Sequence, residues 1–336
     1  MKGIWRRALL LGVVASLAVC GSAGAQVPFG LIPDQTPPLS CNEENPLGAS
    51  FDITQLSVGP DVTFEAPVDG VITSWSTRAA DGANQRMTFK LVGLFESQYL
   101  VHRHDGPRAL VPGQVNTFRT LIPVERGDLL ALSPGAAPTA CIWGTGVAGD
   151  TITFGGNIDT PDGERWQPEQ DIEESLLNVE ATILPAPRLT AISPTSGSIS
   201  GGTPVTVAGA NLAEVRSVSF SGVPALSYTV SNEGLLTAVA PPNTELTSRT
   251  IEVTTVAGRA TSPQTFNYVG CVVPLLKKYK LKAATNKLKG AGCALGKVKR
   301  LKKVSVRKGK VTRQSPASGT ILPPGGKVAV TLKGKK

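Results

Sequence analysis

Short runs of alternating apolar and polar residues occupy the chain from Phe51 to Ile183, and Gly, Pro, Asp and Asn separate them. The clearest runs are 62–64, 70–75, 87–95, 150–154 and 177–183. Alternation with a period of two turns every second side chain to one face of a strand, and turn residues between such runs are typical of a sandwich or jelly roll. We therefore predict a β-sandwich or jelly-roll-like domain over residues 26–184, closed by the run at 177–183.

Residues 185–269 carry apolar residues in pairs two positions apart, which point to one sheet face. The pairs are Val205 and Val207, Val218 and Phe220, Ile251 and Val253, and Phe266 and Tyr268. Gly201 and Gly202 supply a turn that few other residues could adopt. This segment is predicted to be a second β-domain.

Several motifs in this segment occur in a recognisable order. They are Pro187, Ile192, Ser193-Pro194, Gly197, Gly201-Gly202, Val205 to Gly209, Ala240-Pro241-Pro242, Ile251 to Val253 and Phe266 to Tyr268. Their order resembles a TIG/IPT domain, an immunoglobulin-like fold of bacterial surface proteins and of other extracellular and DNA-binding proteins. The resemblance implies a rigid spacer that presents other domains and does no chemistry.

Residues 270–336 change to a mixed pattern. Leu281, Ala284, Leu288 and Ala291 recur at helical spacing, which predicts a helix that packs on apolar strand residues. Those strand residues are Val311, Val328 and Val330, and the surrounding motifs are Cys271 to Pro274, Gly309 to Val311, Gln314 to Pro316 and Leu322-Pro323. Together they resemble a PASTA domain, which implies one helix on a small sheet and an association with cell-wall recognition. The whole chain is thus predicted to be mainly β, with a small α+β module at its C-terminus.

The first 25 residues predict export. Lys2, Arg6 and Arg7 precede an apolar stretch that ends near Val19, and small residues up to Ala25 offer a cleavage site. The stretch is shorter than the ~20 residues that span a bilayer core, and no uncharged apolar run beyond it reaches that length. We expect a secreted or cell-surface protein with no transmembrane segment in the mature chain. An alternative is a lipoprotein anchored at Cys20, because residues 17–20 resemble a lipobox.

Four cysteines remain after removal of a signal peptide: Cys41, Cys141, Cys271 and Cys293. Export places them in an oxidising compartment, where an even number favours disulfides over zinc. Three pairings are possible. A domain boundary between residues 141 and 271 favours Cys41 with Cys141 and Cys271 with Cys293.

Positive charge is concentrated at the C-terminus. Residues 271–336 contain sixteen Lys and three Arg with no Asp or Glu, whereas residues 26–270 contain twelve basic and twenty-five acidic residues. A block of this kind indicates an anionic partner or a disordered tail, and the PASTA-like motifs of this segment favour a folded module. The candidate binding residues are Lys277, Lys278, Lys280, Lys282, Lys299, Arg300, Lys302, Lys303, Arg307, Lys308 and Lys310.

Motifs for metal or nucleotide binding fail in their context. His102 and His104 would face one side of a strand beside Asp105, but no third ligand is evident, and a surface strand pair is favoured. Residues 144–149 spell GxGxxG, yet β-like residues follow them, so no helix N-terminus would receive a phosphate. We expect no metal, cofactor or nucleotide.

Two features could serve a glycan-active domain. Acidic residues at 159–174 could supply a carboxylate pair for hydrolysis or oxygen ligands for calcium, although a solvated loop is favoured. Trp75, Trp143 and Trp166 could form a sugar-stacking platform, but tryptophans in a β-sandwich more often belong to the core.

The favoured hypothesis is a non-enzymatic envelope-binding or adhesion protein, whose C-terminal module attaches to anionic cell-wall polymer or peptidoglycan while the central module acts as a spacer. The alternative is a secreted polysaccharide or wall hydrolase with its active site in residues 26–184. A third hypothesis assigns the lysine block to extracellular DNA or an anionic lipid surface, since phosphate contacts require only positive charge.

Overall fold

A computed structural model describes residues 25–34, 39–41, 51–59, 62–155, 159–301 and 309–333. The predictions for the leader, including Cys20, lie outside these residues, as do those for Lys302, Lys303, Arg307 and Lys308. Within the described ranges, no helix is both long and apolar enough to cross a membrane.

The first domain is built from two main sheets and a small third one. Its strands are β1 (Val27–Leu31), β2 (Leu39–Ser40), β3 (Asp52–Ser57), β4 (Gly70–Arg78), β5 (Arg86–Phe95), β6 (Gln98–Ala109), β7 (Val115–Val124), β8 (Leu129–Pro134), β9 (Ala140–Gly144), β10 (Thr151–Gly155), β11 (Arg165–Trp166), β12 (Gln170–Glu173), β13 (Ser175–Leu177) and β14 (Val179–Pro185). The described strands are ordered β1-β14-β4-β7 in one main sheet, β11-β6-β5-β8-β3-β10-β12 in the other, and β13-β9-β2 in the small sheet. The predicted sandwich is confirmed.

The core of this domain lies between the two main sheets. Trp75 is fully buried there, with its ring 5.3 Å from Phe89 and 4.6 Å from Phe118. The predicted strand at 62–64 is wrong, although Phe64 is buried. The carbonyl oxygens of Thr63 and Phe64 each accept one backbone hydrogen bond, from the N–H groups of Gly30 and Leu130, and no strand ladder forms. The alternation of this segment therefore reflects burial and not strand pairing.

The central domain consists of two facing sheets. Its strands are β15 (Arg188–Ser193), β16 (Ser196–Ser198), β17 (Pro204–Ala210), β18 (Ser217–Phe220), β19 (Val223–Pro224), β20 (Ser227–Asn232), β21 (Leu235–Val239), β22 (Ser248–Thr255) and β23 (Gly258–Val269). The described strand orders are β15-β17-β21-β20 and β16-β23-β22-β18-β19. All eight members of the predicted apolar pairs are buried between these sheets.

The predicted glycine turn is also present. Gly201 and Gly202 have φ angles of 74° and 79°, in the left-handed region that favours glycine. A Cβ atom on Gly201 would lie 2.5 Å from the Pro242 nitrogen, so no side chain fits there.

The C-terminal module is a three-stranded sheet with one helix against it. Its elements are β24 (Cys271–Val272), α1 (Leu281–Gly290), β25 (Ala294–Arg300), β26 (Lys310–Ser315), β27 (Ile321–Leu322) and β28 (Lys327–Lys333). Ala284 and Leu288 of α1 are buried against Val311, Val328 and Val330, as the helical spacing predicts.

Both predicted disulfides are confirmed. The Cα atoms of Cys41 and Cys141 lie 5.8 Å apart, and those of Cys271 and Cys293 lie 5.2 Å apart. The first bond joins Cys41, directly after β2, to β9, and the second joins β24 to Cys293, which lies three residues beyond the end of α1. Each bond therefore closes a loop within one core cluster.

Replacing both cysteines of a pair by alanine is expected to lower the free energy of unfolding, because the opened loop regains chain entropy. The chain-entropy estimate is about 4–5 kcal/mol for the first domain and about 3 kcal/mol for the C-terminal module. Urea unfolding followed by hydrogen exchange in each domain measures the loss, and each double variant serves as the control for the other. Unchanged protection of the C-terminal module without its cysteines would contradict the estimate.

Candidate anion-binding surface

The outer face of the C-terminal sheet is basic. Strand β28 alternates, with Val328, Val330 and Leu332 buried against α1 and the residues between them directed outward. Lys327 and Lys333 are the charged residues of that outer face. The neighbouring strands extend it.

Register places three further cations on this face. Lys299 of β25 and Arg313 of β26 both lie opposite Thr331, and Lys310 lies directly opposite Lys333. Residues directly opposite each other on paired strands share a face. We define the basic sheet face as Lys299, Lys310, Arg313, Lys327 and Lys333, all of which are exposed.

A second group of cations surrounds the start of α1. Lys277, Lys278, Lys280 and Lys282 are all exposed. Lys280 forms a β-bridge with Lys310, and the Lys278 N–H donates to the Val311 carbonyl over 2.9 Å. The helix start therefore adjoins the basic sheet face.

The electrostatics of this surface oppose folding. Lys280 is the N-cap of α1, where it makes no side-chain capping bond, and the first helical turn has no acidic residue. The positive end of the helix dipole is thus surrounded by further positive charge. Lys310 and Lys333 are like charges directly opposite each other, which is also unfavourable. An anionic ligand would relieve both conflicts.

Residues 271–336 contain no Asp or Glu, so no acidic side chain of the module offsets the charge at the helix start or between Lys310 and Lys333. Within the described part of the module, Lys287 makes a cation–π contact, with its Nζ 4.9 Å from the centre of the Tyr279 ring. This contact does not neutralise the charge. The surface is therefore positively charged throughout.

Of the predicted binding residues, Lys299 and Lys310 lie on the basic sheet face, and Lys280 is paired with Lys310. Lys277, Lys278 and Lys282 are exposed around the start of α1. Arg300 lies opposite Leu332, whose side chain faces inward. Arg300 therefore lies on the other face of β25 from Lys299. Sequence reasoning missed Arg313, Lys327 and Lys333. The alternation of β28 could have identified the two lysines, whereas Arg313 depends on a register shift after Val311.

The two histidines of the first domain do not converge. His102 Nδ1 lies 2.9 Å from Asp128 Oδ1, and His104 Nδ1 lies 2.7 Å from Asp162 Oδ1. Burial raises the pKa of Asp128, although the Glu125 N–H and His102 oppose this rise. The described residues contain no group of three or more His, Cys, Asp or Glu that could hold a metal. Each histidine instead has its own carboxylate partner.

The tryptophans are core residues, as predicted. Trp75 donates from Nε1 to Asp105 Oδ2 over 2.7 Å, and Trp166 is buried against Tyr99 with the ring centres 4.5 Å apart. Trp143 packs against the core of the first domain. These rings therefore do not form an exposed platform.

The remaining motifs also have structural roles. The GxGxxG segment connects β9 to β10, both of which are strands, so no helix follows it. The acidic segment was predicted to be a solvated loop, and this is wrong for 170–173, which form the edge strand β12. Asp171 and Glu173 are exposed on that edge, and such charges prevent further strand pairing.

These features define a multidomain β-protein with a basic C-terminal module. Residues 187–268 match the family model of the IPT/TIG domain, and residues 272–334 match that of the PASTA domain. The chain therefore contains an IPT/TIG domain and a PASTA domain, and no family model matches its N-terminal domain. This combination is an extracellular or cell-envelope architecture.

No curated protein matches the chain. Two solved structures of the plexin A4 extracellular region, covering domains 1 to 8 and 1 to 10, are each 14% identical to it. They cover 63% and 83% of this chain with TM-scores of 0.23 and 0.24, and the matches span 27% and 28% of those chains. Scores this low support no inference about function.

Lys280→Asp is expected to stabilise α1 by about 1 kcal/mol, because aspartate caps the free N–H groups and complements the dipole. Lys289→Asp, in the last turn, makes the same change of charge but should destabilise the helix, because a negative charge there opposes the dipole. Urea unfolding of the full chain with helix hydrogen exchange compares the two. If Lys280→Asp instead destabilises α1, the positive charge at the N-cap does not limit helix stability, and the prediction is contradicted.

Proposed function

We propose that this chain is a secreted, non-enzymatic envelope-binding protein. Its PASTA domain attaches to anionic cell-wall polymer or peptidoglycan through the basic sheet face and the start of α1. The IPT/TIG domain acts as a spacer, and the N-terminal domain faces away from the wall. PASTA domains in general bind peptidoglycan-like ligands.

The observation that carries the proposal is the pairing of like charges. Lys280, Lys310 and Lys333 lie side by side across neighbouring backbone segments, and no anion of the module separates them. A repeating anionic polymer supplies negative charges along a line, so it can contact several of these cations at once. Such contacts gain affinity mainly by releasing counterions, and they weaken as salt rises.

The spacer role is supported by the core of the IPT/TIG domain. Its two sheets enclose an apolar cluster that includes Val205, Val207, Phe220 and Phe266, and the aromatic rings meet edge to face. Packing of this kind resists deformation. A rigid central domain would hold the N-terminal domain at a fixed distance from the PASTA domain.

The non-enzymatic part of the proposal is supported by the use of carboxylates in the N-terminal domain. Asp159 contacts Lys90 and Asp162 contacts His104, so both carboxylates already have a side-chain partner. A hydrolase with its active site in residues 26–184 would need a carboxylate pair in a cleft. Zymography on sacculi and on glycans tests that alternative, and clearing zones would support it.

Binding is expected to depend on the position of the charges and not only on their number. Lys310→Gln, Arg313→Gln and Lys333→Gln, combined in the full chain, should weaken retention on purified sacculi or anionic wall polymer by about tenfold. The slope of log affinity against log salt should fall by about three. Co-sedimentation at several sodium chloride concentrations measures both.

The matched control removes three exposed arginines of the IPT/TIG domain, Arg188, Arg216 and Arg259, and leaves retention unchanged. Equal effects of the two triple variants would contradict the proposed surface. At about 0.5 M salt the Debye length is only ~4 Å, so binding that persists there would indicate a shaped site in place of a charge field. Stronger retention on DNA or anionic vesicles than on wall polymer would assign the surface to those partners.

A further inference from the structure

Lys90 is the only lysine in residues 26–270, and it is buried in the N-terminal domain. Its Nζ lies 2.6 Å from Asp52 Oδ1, 2.5 Å from Asp159 Oδ1 and 2.7 Å from the Thr160 carbonyl oxygen. The side chains of Lys90 and Asp52 have no exposed surface, whereas Asp159 is 46% exposed. One amine thus contacts two carboxyl groups, one buried and one partly open to solvent.

Strand register explains how these groups meet. Lys90 of β5 lies opposite Ala131 of β8, which in turn lies opposite Thr54 of β3. Asp52 is two residues before Thr54, so it shares that face of the sheet. Because Ala131 is small, the lysine side chain can reach across β8 to Asp52. Asp159 and Thr160 supply the other two contacts of the Lys90 Nζ.

Burying an ordinary ion pair at this site costs free energy. Removing two charges from water costs several kcal/mol for each ion, and their attraction recovers that only in favourable geometry. Here the second carboxylate leaves one negative charge in excess. Burial raises the pKa of Asp52, and Lys90 opposes that rise. Asp52 is thus biased towards its neutral acid, and the partly exposed Asp159 is the better-placed base.

We propose that Lys90 Nζ and Asp52 Cγ condense into an amide that covalently joins β5 to β3. Asp159 takes a proton from the Lys90 ammonium, and the freed nitrogen lone pair attacks Cγ of the neutral Asp52 carboxyl. The C–N bond forms, the nitrogen passes one of its two hydrogens to the departing hydroxyl, and the C–OH bond breaks to release water. The nitrogen retains one hydrogen, and Asp159 ends as the acid and returns its proton to solvent. No oxidant or further reactant is needed.

The surroundings assist both steps. The Thr160 N–H donates to Asp52 Oδ2 over 3.2 Å, so it can stabilise the negative charge that develops on this oxygen during attack. Thr88 Oγ1 donates to Asp159 Oδ2 over 3.4 Å and holds the base in place. The exposed part of Asp159 gives water and the proton a way out. The product has no charge on Lys90 or Asp52, which removes the cost of burying them.

The mass of the purified, full-length secreted protein tests the amide. After denaturation and complete reduction of the disulfides, the protein should be lighter by one water than its sequence mass from the observed N-terminus. Proteolysis and tandem mass spectrometry should recover a branched peptide that joins Lys90 to Asp52. A full sequence mass overturns the proposal, and so does a branch to Asp159 in place of Asp52.

Variants separate the amide from dehydration elsewhere, such as succinimide formation at the Asp81-Gly82 pair. Lys90→Arg keeps the positive charge but has no amine, so the mass deficit should vanish. Asp159→Asn keeps both bonding partners but removes the base, so the deficit should again be lost. The matched control, Asp171→Asn on the exposed edge strand β12, should retain it. A deficit that persists in Lys90→Arg would overturn the proposal, and the wild-type mass decides the question even if a variant fails to fold.

Discussion

Repulsion among nineteen cations in residues 271–336 is the constraint on which the organisation of the C-terminal module depends. A module of this size has a small core, and here the core must also offset charge that no internal acid neutralises. Val311, Val328 and Leu288 supply the apolar contacts, and the bond between Cys271 and Cys293 restricts the unfolded chain. The cations of the module that the structure describes are thus held on the outside of a cross-linked framework. That arrangement keeps positive charge available to a partner at some expense of stability.

The N-terminal domain treats charge in the opposite way. Lys90, Arg108 and both histidines contact carboxylates within the domain, and Arg78 and Arg86 donate to backbone carbonyls. Lys90 is the extreme case, because it is enclosed with its partners. Residues 26–184 contain twenty-one acidic and eight basic residues, so the net charge of this domain is negative and does not favour an anionic polymer. The division between an acidic domain and a basic module supports attachment through the C-terminal end of the chain.

The sequence by itself determined the local structure and the division into modules. Side chains repeat every two residues in a strand and about every 3.6 in a helix, so the alternation at 177–183 and the spacing from Leu281 to Leu288 report backbone geometry directly. The cysteine pairing followed from the same division, since each module holds an even number of cysteines. The IPT/TIG and PASTA resemblances rest on short motifs in order, and these are also local in the chain.

Only the tertiary structure decided which distant side chains meet. Lys333 joins Lys310 through strand register, and Arg313 reaches the same face only because the register shifts after Val311. The acidic segment becomes in part a sheet edge through its pairing with β10, and the run at 62–64 remains unpaired as a strand. The burial of Lys90 was hidden because a lysine in an apolar run reads as a solvent-facing position. Its environment depends on Asp52 and Asp159, which are far away in sequence, and contacts over such distances follow from the packing of the whole domain.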